Sequence, residues 1–66
     1  MKLTEEQKVI LEELISGSTN QQIADKIGYS ESSIKRKVKE LLNVFNVKNR
    51  ASLISGAAIA KIQNLF

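Results

Sequence analysis

The fold class expected for this chain is all-α, with four helices around one small core and a helix-turn-helix at its centre. Three observations predict it. Apolar residues recur at helical spacing in each segment, a capping residue stands where those segments begin, and proline is absent. With 66 residues the chain has room for a single domain over 1–66, near the lower size limit for folding without staples.

The first helix is expected over residues 4–16. Thr4 followed by Gln7 is a capping-box pair, each side chain able to satisfy the other's free backbone N–H. Glu5 and Glu6 put negative charge at the positive end of the helix dipole. Ile10, Leu11, Leu14 and Ile15 form the buried stripe, and Gly17 is a suitable stop. The second helix, over 19–27, repeats the pattern with Thr19 and Gln22 and ends at Gly28. Ile23, Ala24 and Ile27 face inward, and the small Ala24 permits a close crossing. Being short, this helix must lean on its neighbours.

The third helix, over 30–46, starts at a Ser30 cap after the tight Gly28-Tyr29-Ser30 connection. Ile34, Val38, Leu41, Leu42 and Phe45 make one apolar stripe. At about 100° per residue, the opposite side carries Ser32, Arg36, Lys39 and Asn43, with Lys35 and Lys37 on its two flanks. Docking needs the apolar side only. Four basic side chains within five positions repel one another by a few tenths of a kcal/mol per pair, roughly, so their presence calls for a polyanion, and duplex DNA is the leading one. A short helix, a glycine turn and a longer basic helix form the helix-turn-helix arrangement, whose second helix enters the major groove.

The charge distribution agrees. Residues 1–29 carry three basic and five acidic side chains, net −2, whereas residues 30–66 carry seven basic and two acidic, net +5. In that reading Arg36 is the first choice for base contact, because its planar fork can bond guanine O6 and N7 together. Lys39 is the second, and Lys35 and Lys37 straddle the groove walls. Ser32 and Ser33 lie in the first turn, where free N–H groups attract phosphate. Tyr29, the sole tyrosine, is expected to pack on the core.

The fourth helix, over 49–64, has apolar residues on more than one side, too many for a small core to cover. A second copy of the same helix is the simplest cover. The dimer face expected is Leu53, Ile54, Ala57, Ala58, Lys61, Ile62 and Leu65.

Four pieces of the chain, in order and spacing, resemble one family: Leu3-Thr4-Glu5-Glu6, Thr19-Asn20-Gln21-Gln22-Ile23-Ala24, Ser30-Glu31-Ser32-Ser33-Ile34-Lys35 and Asn46-Val47-Lys48-Asn49-Arg50-Ala51. Together they are similar to the LuxR/GerE-type DNA-binding domain, which also terminates the NarL/FixJ response regulators. The resemblance implies a four-helix fold with the third helix in the major groove and the fourth as dimer contact. Carried over by position, it implies base contacts from Lys35, Arg36 and Lys39. Phosphate contacts are implied for Ser32, Ser33 and Lys37, and for Asn20, Gln22, Lys48 and Arg50 at loop and helix ends. Lys37 stands where relatives often carry His, and Val44 where they often carry Lys.

These readings make a homodimeric, sequence-specific transcription regulator on an inverted-repeat site the leading expectation. RNA polymerase or another regulator would be a further partner. A region-4-like promoter module is disfavoured by residues 53–66. An interaction protein that uses the last helix to modulate another regulator is the alternative from a different class. Without Cys or His, zinc fingers, disulfides and His-based catalysis are excluded, so neither enzyme activity nor a cofactor or metal is expected. No apolar run approaches the roughly 18 residues of a membrane span, and the N-terminus has no signal-peptide character, so a cytoplasmic location is expected. An initiator-like Met1 close to the first helix favours a stand-alone regulator over a fragment of a larger one.

Overall fold

Each helix begins at the residue whose side chain can cap it. The computed structural model describes residues 2–66, so Met1, first residue of the expected 1–66 domain, lies outside the described residues. The helices are α1 (Glu5–Ile15), α2 (Asn20–Ile27), α3 (Glu31–Val44) and α4 (Arg50–Ile62), with no strand among the described residues. Both capping boxes form. Thr4 Oγ1 accepts from the Gln7 N–H at 3.1 Å while Gln7 Oε1 accepts from the Thr4 N–H at 2.9 Å, and Thr19 and Gln22 do the same at 3.1 and 2.8 Å. Ser30 Oγ accepts from the Ser33 N–H, and Asn49 Oδ1 from the Ser52 N–H.

The C-terminal ends differ from expectation in α3 and α4, which stop at Val44 and Ile62 rather than at 46 and 64. The cause is an asparagine in each case. Asn46 and Asn64 adopt left-handed backbone, with φ of 54° and 59°. The residues after them close back onto the helix, Val47 N–H to the Leu42 carbonyl at 2.9 Å and Leu65 N–H to the Ala60 carbonyl at 2.8 Å. This is the six-to-one bond of a Schellman stop, made with Asn in the place that glycine usually holds.

Gly28 ends α2 with φ 81°, and a Cβ there would meet no atom within 4 Å. Backbone strain alone therefore sets the cost of a side chain. Gly28→Ala is expected to destabilise the domain by about 1–2 kcal/mol, read as a lower urea midpoint at unchanged slope.

The core is one cluster: Ile10, Leu11 and Leu14 from α1, Ile23 and Ala24 from α2, Ile34, Val38 and Leu41 from α3, and Leu53 and Ala57 from α4. α2 crosses α3 as the helix-turn-helix pair, and α1 and α4 pack together behind it, with α4 also touching α3. Ala24 is fully buried, which lets α2 and α3 approach closely. Leu42 and Phe45, the remainder of the expected α3 stripe, are half-buried and pack against the same cluster. At the far end Phe66 folds back onto the core while Leu65 stays exposed.

Leu53 and Ala57 correct an expectation. Assigned from sequence to a dimer face, both are wholly buried in their own protomer and have no surface to offer a second one. Ile54 also packs partly on the core, and Lys61 is tied to Glu12 of α1 by an ion pair of 2.6 Å.

Candidate nucleic-acid interface

Burial of Ile34, Val38 and Leu41 fixes the rotation of α3 and so decides which residues it shows to solvent. Lys35, Arg36 and Lys39 are exposed, and among the described residues none of them has a carboxylate partner. Ser32 and Asn43 share that exposed side. Three free cations therefore stand on a rigid helix, aimed away from the core. At its N-terminal end the serines bond to one another: Ser30 Oγ donates to Ser33 Oγ at 2.9 Å and lies 3.2 Å from Ser32 Oγ. Ser33 is half-buried and engaged in that contact, leaving Ser32 as the outward hydroxyl.

Lys37 is not part of the free row. Its Nζ sits 2.9 Å from Glu6 Oε1 of α1 and 5.1 Å from the centre of the Tyr29 ring. The Tyr29 hydroxyl donates to Glu6 Oε2. Tyr29 is thus 41% exposed and part of a polar cluster, where core packing was the expectation. The hydrogen bond from Tyr29, then that from Lys37, holds the Glu6 carboxyl below its ordinary range against the opposing effect of burial. The bond to Glu6 pushes the Tyr29 phenol and the Lys37 ammonium up in turn.

Glu13 is likewise lowered, by its bond from Lys26 at 2.8 Å and then by Ser18. Both carboxyls are thus held below the ordinary carboxylate range. The stability they contribute is fully present above the ordinary carboxylate range and is lost as pH falls through the depressed one. Thermal unfolding followed from pH 7 downward is expected to show a midpoint that falls as pH drops through the carboxylate range, and E6Q should make the fall shallower.

The residues assigned by resemblance to loop and helix ends divide in two. Arg50 Nη1 donates to Asn20 Oδ1 at 2.7 Å and its Nη2 to the Ser18 carbonyl at 3.0 Å, so Arg50 and Asn20 tie the α1–α2 turn to the start of α4. Gln22 uses its oxygen in the Thr19 cap and keeps only its exposed NH2 end outward. Lys48 is exposed and has no carboxylate partner among the described residues. Sequence reasoning missed the ties of Glu6 and Arg50, since neither residue type at those positions signals its partner.

A family model described as bacterial regulatory proteins, luxR family (GerE), matches residues 1–57. The chain belongs to the luxR family. That makes it a member of a DNA-binding regulatory group, and such domains regulate rather than catalyse. No curated protein and no solved structure matches the chain. Among the described residues no helix of this luxR-family domain is long and apolar enough to cross a membrane.

Proposed function

We propose that the protein is a cytoplasmic, sequence-specific transcription regulator that binds duplex DNA as a homodimer, with α3 in the major groove of each half-site. The observation that carries this reading is the exposed row of Lys35, Arg36 and Lys39, which makes no ion pair among the described residues, on a helix whose other side is locked into the core. Arg36 reads a guanine edge, Lys39 and Lys35 reach neighbouring bases, and Ser32 and Lys48 bond phosphates. Asn20 and Arg50, joined by their mutual bond, act together at the backbone; Gln22 offers its NH2 group and Ser33 its helix-start N–H.

Dimerisation is supported by the outward side of α4. Ala51, Ser55, Ala58 and Ile62 recur at alternating steps of four and three, a coiled-coil spacing, and none carries a charge; the exposed Leu65 follows beyond the helix stop at Asn64. Ile59 and Ile62 are 56% and 81% exposed. The proposed face is therefore Ala58, Ile62 and Leu65 of the residues first expected, with Ile59 added and Ile54 at its edge. Small side chains along this row let two backbones approach closely, with isoleucines filling the space between them.

Two experiments test the reading. Selection of bound duplexes from a random pool should recover inverted repeats with half-sites about one helical turn apart; recovery of single half-sites would contradict the dimer. In sedimentation, Ile62→Asp should shift the native dimer to monomer while leaving the helical signal unchanged. If the native chain is monomeric and dimerises only with a different regulator, the α4 face serves a heterodimer instead.

A further inference from the structure

The four cations at positions 35–39 are not equivalent, and the difference has a cause outside α3. Lys37 lies on the flank of α3 that turns towards α1, where Glu6 meets it. Glu6 uses both carboxylate oxygens, one for Lys37 and one for the Tyr29 hydroxyl, so three segments converge on one side chain: α1, the turn before α3, and α3 itself. The Lys37 and Glu6 side chains are 29% and 37% exposed. This pair is therefore less accessible to water and salt than the exposed ion pairs that contribute little. The Tyr29 ring under the ammonium adds a second attraction on the same group.

A lysine paired in this way has its charge engaged before any phosphate arrives. The salt dependence of DNA binding comes from counterions displaced by each cation that meets a phosphate. To reach a phosphate, Lys37 would have to leave Glu6, and an uncompensated carboxylate would then face the polyanion. We propose that Glu6 and Tyr29 hold Lys37 out of the DNA-contacting set, so that Lys37 is a positioning residue for α3 and Glu6 limits sequence-independent binding. This rests on the DNA-binding reading and replaces the assignment of Lys37 to phosphate. Non-specific affinity comes from phosphate contacts, whereas discrimination comes from base edges. Withholding one cation thus weakens binding to any sequence by a similar factor, while Arg36 and Lys39, which discriminate between sequences, are left untouched.

The test is the salt dependence of binding to a fluorescent duplex of arbitrary sequence, measured for the native chain, E6Q, K37Q, E6Q/K37Q and R36Q. E6Q should bind more tightly at low salt, and its log–log slope should steepen by about 0.9 per protomer. K37Q should keep the native slope, R36Q should flatten it, and the double variant should return to the native value. A K37Q slope as flat as that of R36Q, or an E6Q slope no steeper than native, overturns the proposal. The clamp is also read without DNA. Tyr29 is the only tyrosine and there is no tryptophan, so ultraviolet titration of the phenol reports on Tyr29 alone. Its raised titration should fall back in E6Q, and an unmoved titration overturns the clamp even if DNA binding stands. A native chain that ignores duplexes at low salt, with the Tyr29 titration behaving as expected, locates the failure in the functional reading on which the proposal rests.

Discussion

Ile34→Ala is expected to leave the domain largely unfolded or with a thermal midpoint lowered by about 10 °C or more. Ile34 is fully buried where α3 meets the rest of the core. Truncating a buried Ile to Ala costs about 2–5 kcal/mol, the lost transfer energy plus the cavity left behind. A domain of this size has a total stability of only about 3–10 kcal/mol, taking roughly 0.05–0.15 kcal/mol per residue. Each kcal/mol lost moves the midpoint of so small a domain by about 4–8 °C. Thermal melts followed by far-ultraviolet circular dichroism measure the effect directly. A loss below about 1 kcal/mol would mean that α3 is not anchored through this side chain.

Two residues along the same helix, the consequence should invert. Arg36→Ala combined with Lys39→Ala is expected to leave the melt unchanged within about 0.5 kcal/mol, since exposed side chains without partners contribute little to folding. Specific duplex binding should drop by two orders of magnitude or more. Each good base contact is worth about 1–3 kcal/mol of discrimination, and a dimer loses each contact twice. The two losses add less than fully, because the residues are neighbours on one helix and reach adjacent bases. Fluorescence anisotropy on a selected site, beside an arbitrary duplex, separates lost recognition from lost charge. Unchanged specific affinity would exclude both residues from the base-reading set.

The fold was legible in the sequence wherever its cause was local. Thr4 with Gln7 and Thr19 with Gln22 announce their helices because a capping box acts within four residues, and the α3 stripe from Ile34 to Phe45 has a single phase. The stops at Asn46 and Asn64 were less legible, since asparagine takes left-handed backbone only where the chain beyond it can close on the helix. α4 misled for a different reason. Its apolar residues cover more than one side, so periodicity alone could not say that Leu53 and Ala57 face the core while Ile59 and Ile62 face out. The ion pair of Lys37 with Glu6 and the tie of Arg50 to Asn20, 30 residues away, depend on how helices pack. No local pattern encodes either contact. The basic row itself was readable, because Lys35, Arg36 and Lys39 need only be opposite the stripe to be exposed.

The central claim is that the outward side of α3 meets duplex DNA, and amide chemical-shift mapping tests it most directly. Adding duplex to isotopically labelled protein should move the amide signals of residues 30–39, with Ser32, Lys35, Arg36 and Lys39 foremost, and of Lys48. The interior of α1 should stay in place. Shifts concentrated on α1 or on the outward side of α4, with residues 30–39 unmoved, would contradict it.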